Sequence, residues 1–307
     1  MNPAADDVRV TAVVVTFRPD ATAAGELLRA LAPQVRDVVV VDNGSDASTV
    51  DALRAVLPDA QVIALGENTG VAAAQNAGIA RARELGATHV LLSDQDSVPA
   101  PDMVAALLRG LHAAQQRGSR PAAVGPIAAD TRSEDEVMVY AASRWGPRRS
   151  RQAPDADGLL PAAFLIASGC LVPVAVLDEV GTMRAEWFID HVDLEWGLRA
   201  RRAGRQLFAV ADARLAHRLG DRLVRLPGRR QEVHVHTPVR VYYLTRNTVL
   251  LLRSGLLPLR WRLGYVLWLA KYVAFNALLA GSHRRRARLA LRGLRDGLAG
   301  RTGALRA

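Results

Sequence analysis

Short β-branched runs alternate with helix-like segments through the first third of the sequence. The runs are residues 10–17, 38–41, 62–65 and 89–92, and the segments between them are residues 23–31, 49–56 and 72–85. Strands that alternate with helices predict a parallel sheet covered on both faces, which is an α/β fold. The chain has 307 residues and half of them are apolar, which is enough for one large domain with a sizeable core.

The later part of the chain changes in composition. Residues 141–158 are rich in Arg, Pro, Ser and Asp, which predicts a loop or linker. A helix is expected in the second half of residues 186–204, because apolar residues recur there at spacings of three and four. A strand is expected at residues 206–210. From about residue 239 the sequence is helical in pattern and increasingly basic.

Polar residues follow each of the four predicted strands. In open α/β sheets, ligands bind outside the carboxyl ends of the strands, so these residues are candidates for a site. They are Thr16, Phe17 and Arg18; Asp42, Asn43, Gly44 and Ser45; Glu67, Asn68, Thr69 and Gly70; and Asp94, Gln95 and Asp96.

The pair Asp94 and Asp96 is compatible with three interpretations. Two carboxylates this close disfavour joint ionisation unless a cation or hydrogen-bond donors compensate. The pair could lie in a solvated turn, or it could form a phosphatase site of the haloacid-dehalogenase type. That chemistry usually needs a downstream lysine, and Lys271, the sole lysine, lies inside an apolar helix. The third interpretation is a divalent-cation site, in which the metal holds a diphosphate.

Several classes of protein are excluded or disfavoured by the sequence. It contains no GxxxxGK[ST] loop, no GxGxxG after the first strand and no zinc-ligand spacing. The net charge is +10, but 39 of the 40 basic residues are Arg and no arginine run is interleaved with aromatic residues, so we expect no nucleic-acid partner. The first 17 residues lack the basic region of a signal peptide, and we expect a cytoplasmic protein.

An ordered set of segments resembles family 2 inverting glycosyltransferases with the GT-A fold. The segments are VVVTFRPD, VVVVDNGSD, ENTGVAAAQNAGI, LLSDQDS, ASGCLVP, WFIDHVDLEWGLRARRAG and LAHRLGD. Four stretches are most similar in sequence to bacterial rhamnosyltransferases: DQDS, FIDHVDLEW, HRLGD and, after it, VYYLTRN. The resemblance covers roughly residues 10–247.

The resemblance implies a catalytic domain over residues 1–238, with a nucleotide-binding half at 1–130 and an acceptor-side half at 155–238. A C-terminal helical segment follows at 239–307. The implied activity is metal-dependent transfer of a sugar, L-rhamnose from dTDP-L-rhamnose, to a cell-surface glycan or lipid-linked acceptor. Two alternatives are a non-catalytic nucleotide-sugar-binding protein and the phosphatase described above.

The resemblance also implies roles for individual residues of the donor site. Asp42 binds the pyrimidine base, although its own sequence context favours an Asx-type turn. Asp94 lies near the ribose, and Asp96 ligates Mg²⁺ or Mn²⁺ together with His217. The remaining residues expected to contact the nucleotide-sugar are Thr16, Phe17, Asn68, Gly70, Asn76 and Arg246. For Arg246, a bidentate contact with the diphosphate and a helix-surface position are equally compatible with the sequence.

A catalytic base is expected in the segment before Arg199. Relatives place the base six residues before this Arg, which here is Asp193, although Val192 stands where they carry Glu. Asp190 is a rival, and a helix N-terminus also favours acidic residues without any catalytic role. The acceptor side is expected to include Ser168, Gly169, Trp187 and Trp196.

Residues 263–280 are apolar apart from Lys271. A membrane-spanning helix needs about 20 apolar residues, and a lysine at mid-bilayer costs roughly 2.5–3.5 kcal/mol on insertion scales. We therefore expect a helix that lies on the inner face of the cell membrane or packs on the catalytic domain. Flanking basic residues suit anionic headgroups; they are Arg260, Arg262, Arg284, Arg285 and Arg286.

Overall fold

The computed structural model describes residues 8–130, 139–217, 222–224, 233–235 and 237–305. The strands, in chain order, are β1 (Val10–Thr16), β2 (Asp37–Asp42), β3 (Gln61–Ala64), β4 (His89–Asp94), β5 (Ser97–Pro99), β6 (Pro121–Asp130), β7 (Tyr140–Ser143), β8 (Gly146–Arg149), β9 (Leu159–Ala162), β10 (Cys170–Pro173), β11 (Gln206–His217), β12 (Arg222–Val224) and β13 (Val233–Val235). The helices are α1 (Ala21–Leu31), α2 (Ala47–Val56), α3 (Val71–Glu84), α4 (Met103–Gln116), α5 (Val174–Val180), α6 (Val192–Arg202), α7 (Pro238–Arg253), α8 (Leu259–Leu278) and α9 (His283–Leu298).

The main sheet has the strand order β3-β2-β1-β4-β10-β6-β11-β5, and β9 also pairs with β11. Strands β1, β2, β3 and β4 are parallel, and β6 runs parallel to β11. Strand β10 is antiparallel to both β4 and β6. This α/β architecture confirms the predicted fold class, and the parallel half places the ends of β1, β2 and β4 at one edge.

Alternate side chains of the central strands enter two separate cores. Val13 and Val15 of β1 pack with residues of α3 and α6 on one face, whereas Ala12 and Val14 pack with α1 and α4 on the other. Successive side chains of a strand point to opposite faces. The uninterrupted apolar runs are therefore explained, because a strand covered by helices on both faces has no polar side.

One segment predicted to be a loop forms a hairpin. Within residues 141–158, β7 pairs with β8 in an antiparallel register. The indole nitrogen of Trp261 in α8 donates a hydrogen bond to the Ser143 carbonyl at 2.8 Å. This long-range contact holds the hairpin against α8, which local composition could not reveal.

The C-terminal helices pack on the rest of the protein. Tyr243 of α7 stacks on Phe188, with ring centroids 4.9 Å apart, and the Tyr242 hydroxyl donates to Asp296 of α9 at 3.0 Å. Among the described residues, no helix has both the length and the apolar character needed to cross a membrane.

Candidate functional site

The loop after β2 is organised by Asp42, whose side chain is only 1% exposed. One carboxylate oxygen accepts hydrogen bonds from the backbone N–H groups of Gly44 (3.1 Å) and Ser45 (2.8 Å). The other accepts from the hydroxyls of Ser45 (2.6 Å) and Thr16 (3.1 Å). This is the Asx-type turn that the sequence also allowed. Thr16 therefore holds Asp42, and both side chains shape the loop that borders the site.

Paired amides hold the next loop against the first. Asn43 donates to the Asn68 side chain at 3.2 Å and accepts from the backbone N–H of Thr69 at 2.9 Å. Gly70 then begins α3 with φ +91°, and a Cβ there would lie 2.6 Å from the Phe188 carbonyl oxygen. Glycine is required because this close approach leaves no room for a side chain.

Asn76, predicted to contact the nucleotide-sugar, is bonded to the protein instead. Its amide donates to the Met183 carbonyl at 2.8 Å and accepts from the Met183 N–H at 2.9 Å. A pair of reciprocal bonds satisfies both ends of the amide. Asn76 thus fixes α3 to the segment that precedes the short turn at residues 185–187.

The turn that links β4 and β5 carries Asp94, Gln95 and Asp96. The Ser168 hydroxyl, next to Gly169 before β10, donates to Asp94 at 2.6 Å. Gln95 accepts a hydrogen bond from the backbone N–H of Phe17 at 2.7 Å. The turn is therefore held from two sides, by the loop after β1 and by the segment before β10.

The metal-site prediction is only partly covered by the structure. Asp96 is partly buried in the turn, and the His217 side chain lies outside the described residues. Among the side chains that are described, no three acidic, His or Cys groups cluster as a metal site. A carboxylate with substrate phosphates is nevertheless the way in which proteins commonly hold Mg²⁺, so Asp96 fits a cation that arrives with a diphosphate.

A pocket of about 290 Å³ brings Asp94 together with Asp193 of α6. We call it the carboxylate pocket; its lining is Val71, Gln75, Asp94, Ala167, Ile189, Asp190, His191, Val192, Asp193 and Arg240. The Ala167 N–H donates to Asp193 at 3.2 Å. Residues nearly 100 positions apart in sequence thus meet at the carboxyl end of β4.

Burial raises the pKa of Asp193 to about 7, and the nearby Asp94 carboxylate adds to the rise. A carboxyl group with a pKa near neutrality is suited to proton transfer at the pH of the cell. Asp190 is held differently, because Arg240 forms a salt bridge with it and only 3% of its side chain is exposed. The two candidate bases are therefore distinguished by their surroundings.

The backbone before α6 is strained. Phe188, Asp190 and His191 have φ values of 68°, 68° and 61°, a region that non-glycine residues rarely adopt. Such strain persists when surrounding contacts hold it in place. The Asn247 amide nitrogen lies 2.7 Å from the Ile189 carbonyl and 2.9 Å from the Asp190 carbonyl.

Arg246 occupies neither of its two predicted positions. It is fully buried, and its guanidinium donates to the Trp187 carbonyl at 2.9 Å and the Gly303 carbonyl at 2.5 Å. Its Nε–H donates to the side-chain oxygen of Asn247 at 2.9 Å, so the guanidinium is bonded within the protein and not in an open pocket. Arg246 and Asn247 of α7 therefore fix the segment that carries Asp190, His191 and Asp193.

A second pocket, of about 380 Å³, adjoins the first at His191 and Asp193. We call it the aromatic pocket; its lining is Tyr140, Trp145, Gly146, Pro147, Phe164, His191, Asp193, Leu194, Gly264, Tyr265 and Trp268. Trp187 and Trp196, predicted on the acceptor side, are instead 2% and 3% exposed within the core. The Trp196 indole N–H donates to the Gly181 carbonyl at 2.8 Å, which satisfies its polar group inside the protein.

Three polar residues of the carboxylate pocket, Gln75, His191 and Arg240, were not identified as site residues from sequence. Gln75 is only 2% exposed, and its side-chain oxygen has no hydrogen-bond partner within the described part of the chain. Arg240 and His191 carried no motif signal of their own. Gln75 could have been found from its spacing of three residues from Ala72 and four from Ile79, which places it on the buried face of α3.

Comparison with known proteins identifies the family of this chain. The model for glycosyl transferase family 2 matches residues 11–181. The dTDP-rhamnosyl transferase RfbF of Shigella flexneri is 30% identical over 250 residues, which cover 81% of this chain and 82% of that protein.

Solved structures share the fold. Residues 1–349 of S. aureus TarS in complex with UDP-GlcNAc superpose with a TM-score of 0.57 and 14% identity, covering 94% of this chain and 81% of that one. GalNAc-T7 with UDP, GalNAc and Mn²⁺ gives a TM-score of 0.57 and 13% identity over 95% of this chain, which spans 56% of that protein. The family 2 model matches more than half of the length of this chain, so the chain belongs to glycosyl transferase family 2.

Proposed function

We propose that this glycosyltransferase moves L-rhamnose from dTDP-L-rhamnose to a hydroxyl of a cell-surface glycan or lipid-linked acceptor, with inversion at the anomeric carbon. The similarity to a dTDP-rhamnosyl transferase over four-fifths of both chains supports the donor. The sequence segments that resemble rhamnosyltransferases include the turn at Asp94–Asp96 and the segment at Asp190–Asp193, which meet in the carboxylate pocket.

The observation that carries the proposal is the position of Asp193 between the two pockets. In a single displacement, the acceptor oxygen forms a bond to the anomeric carbon while the bond to the diphosphate oxygen breaks. The hydroxyl proton passes to a carboxylate within hydrogen-bond reach. Asp193 faces the carboxylate pocket, where the donor would lie, and the aromatic pocket, from which an acceptor would approach.

Asp193 is a better candidate than Asp190 for this role. The carboxylate of Asp190 is already engaged by the guanidinium of Arg240, so its oxygens are less available to an acceptor hydroxyl. The guanidinium of Arg240 also lines the carboxylate pocket, where it could reach a diphosphate oxygen. We therefore assign diphosphate binding to Arg240 rather than to the buried Arg246.

Asp96 would hold the divalent cation, with His217 as a second ligand. When bound, such a cation neutralises the charge on a leaving diphosphate. The protein's own contribution is to fix the turn: Ser168 holds Asp94, and Gln95 is tied to Phe17. The nucleoside would lie against Phe17 and the Asp42 loop.

The C-terminal segment offers a surface for attachment to anionic membranes. Apolar side chains of α8 face solvent, with exposed fractions of 71% for Leu259, 61% for Leu267 and 76% for Leu278. The basic side chains of Arg260, Arg262, Lys271, Arg284 and Arg285 are exposed nearby. Arg286 is an exception, because it is buried and donates to Asn276 at 2.9 Å. We propose that residues 258–286 place the enzyme on the inner membrane surface.

The donor assignment is tested by thermal shift with nucleotide-sugars in the presence of Mn²⁺. A ligand that binds only the folded state stabilises it according to its concentration relative to its Kd. We expect dTDP-L-rhamnose to raise the melting temperature more than UDP-glucose or UDP-GlcNAc, and to be hydrolysed slowly without acceptor. Binding of a UDP-sugar with no response to dTDP-L-rhamnose would overturn the donor and leave the family assignment intact.

A further inference from the structure

His191 lines both pockets, and one nitrogen of its ring is bonded within the protein. The Nε2 atom lies 2.8 Å from the hydroxyl oxygen of Thr248, and that hydroxyl donates to the Leu244 carbonyl at 2.6 Å. A hydroxyl has a single proton, so Thr248 must accept from His191 rather than donate to it. The neutral ring therefore carries its proton on Nε2 and an acceptor lone pair on Nδ1.

The Nδ1 atom has no hydrogen-bond partner among the residues that the structure describes. The ring itself lines both the aromatic pocket and the carboxylate pocket. Burial lowers the pKa of His191 to about 4, against a smaller opposing effect of Asp190, so the imidazole is neutral near pH 7. A neutral nitrogen lone pair at this position can accept a hydrogen bond from a hydroxyl group of a ligand.

The wall of the aromatic pocket is held in place before any ligand arrives. Helix α8 touches the β7–β8 hairpin so closely that a Cβ on Gly264 would lie 1.9 Å from the Trp145 carbonyl oxygen. Tyr140 stacks on Phe164 with centroids 5.1 Å apart, and Trp268 stacks on Tyr272 at 5.0 Å. These contacts restrict the movement of the aromatic rings that face the pocket.

The lining is largely aromatic and includes the Asp193 carboxylate and the His191 imidazole. Small-molecule sites are typically apolar, with a few polar groups that fix the orientation of the ligand. A pyranose ring has the matching character, because its C–H faces are apolar and its hydroxyls project from the rim. Asp193 provides a hydrogen-bond acceptor for the attacking hydroxyl, and His191 provides one for a neighbouring hydroxyl of the same sugar.

We infer that the aromatic pocket binds the terminal pyranose of the acceptor, and that His191 Nδ1 accepts a hydrogen bond from a hydroxyl beside the one that attacks. This inference rests on the proposed function and adds to it the chemical class of the acceptor group. His191 is a positioning residue: it orients the sugar so that the attacking hydroxyl reaches Asp193.

The test uses the full-length enzyme, dTDP-L-rhamnose, Mn²⁺ and a panel of octyl pyranosides as acceptor probes. His191→Phe removes the acceptor lone pair, whereas His191→Asn retains an oxygen near the position of Nδ1 and suits the left-handed backbone. We expect His191→Phe to raise the KM for the pyranoside about 3- to 10-fold, the equivalent of one neutral hydrogen bond. His191→Asn should stay within about twofold of the wild type if the lone pair is what matters.

Matched changes on α8 test the aromatic wall. Trp268→Leu should weaken pyranoside binding about 2- to 10-fold, as expected for the loss of an aromatic contact, whereas Val266→Ala, on the exposed side of the same helix, should not. Circular dichroism melting of each variant shows whether it is folded. If His191→Phe does not fold, the Asn variant and Trp268→Leu carry the test.

Three outcomes would overturn the inference while leaving the proposed donor chemistry in place. They are equal KM values for the wild type and His191→Phe, equal losses in the Phe and Asn variants, and no binding of any pyranoside to an enzyme that hydrolyses the donor. Absence of donor hydrolysis and donor binding in the wild type would instead refute the proposed function itself.

Discussion

Replacing Asp193 by asparagine should make the protein more stable and nearly inactive at the same time. Asparagine keeps the shape and can accept the Ala167 N–H, but it cannot take a proton from the acceptor. Removal of a general base typically costs about 10²–10⁴ in rate. Donor affinity should change little, since the proposed donor contacts lie on Asp42, Asp94 and Arg240.

The stability effect follows from the pKa of Asp193, which is raised from 3.8 to about 7. Below about pH 4 the carboxyl is protonated in both the folded and unfolded states, so its burial does not lower the free energy of unfolding. Between about pH 4 and 7 the unfolded state loses the proton while the folded state keeps it, and the wild type loses stability as pH rises. A rise of about three pKa units corresponds to a ceiling of about 4 kcal/mol, and water in the open pocket lowers this to about 1–3 kcal/mol.

The assay compares urea unfolding of the wild type and Asp193→Asn at pH 5 and pH 8, without donor or metal. We expect the advantage of the variant to be larger at pH 8 by about 0.6–2 kcal/mol, because about two thirds of the window between the unfolded and folded pKa values lies above pH 5. Asp190→Asn serves as the control, because it breaks the pair with Arg240 and should destabilise the protein at both pH values.

The kinetic counterpart is the pH profile of kcat/KM for transfer. Because Asp193 acts in its ionised form, the wild-type rate should rise with pH through about 7, which is the pKa of the free enzyme's base. A stability advantage that is independent of pH would refute the desolvation argument. Near wild-type transfer by Asp193→Asn, with Asp190→Asn inactive but still able to bind donor, would move the base to Asp190.

Further predictions concern the metal, the donor pocket, the strained segment and the membrane surface. Asp96→Ala and treatment of the wild type with EDTA should each abolish transfer; full activity of a metal-free preparation in EDTA would refute the metal role. Gln75→Leu should weaken donor binding, measured by calorimetry, about 2- to 10-fold, because it removes the buried oxygen available to the donor; an unchanged Kd would exclude that contact. Asn247→Ala should lower the free energy of unfolding in urea by about 2–4 kcal/mol, since several backbone carbonyls lose their donor; a decrease under about 0.5 kcal/mol would show that Asn247 does not hold the strained segment in place. Sedimentation with anionic vesicles should fall as salt rises, since exposed charges are screened over about 10 Å at 0.1 M; equal partition to neutral vesicles would argue for a helix that only caps the domain.

The strand and helix pattern of the first 94 residues could be read from the sequence. Predicted strands at 10–17, 38–41, 62–65 and 89–92 correspond to β1, β2, β3 and β4, and the predicted helices correspond to α1, α2 and α3. These elements follow from local patterns, because the apolar runs of β1, β2 and β4 are nearly continuous and polar or turn residues follow each strand. The family resemblance rested on the same segments. Helix α4 and strands β5 and β6 were not predicted.

The identity of the pocket residues depended on the tertiary structure. Sequence placed Trp187, Trp196 and Arg246 in the site, whereas the fold buries the two tryptophans in the core and turns Arg246 towards backbone carbonyls. Apart from Phe164, the aromatic side chains that line the pocket come from the β7–β8 hairpin and α8, more than 110 residues apart in sequence. An amphiphilic side chain such as Trp or Arg has the same local preference in a core and in a pocket.

The chemistry of Asp193 was also decided by the tertiary structure. The spacing before Arg199 could propose this residue, but a carboxyl at the start of an exposed helix would have an ordinary pKa. Its rise to about 7 requires burial and the approach of Asp94, and both depend on β4 and α6 meeting at one edge of the sheet. Sequence determines which groups are available, whereas desolvation and proximity arise only when distant segments pack together.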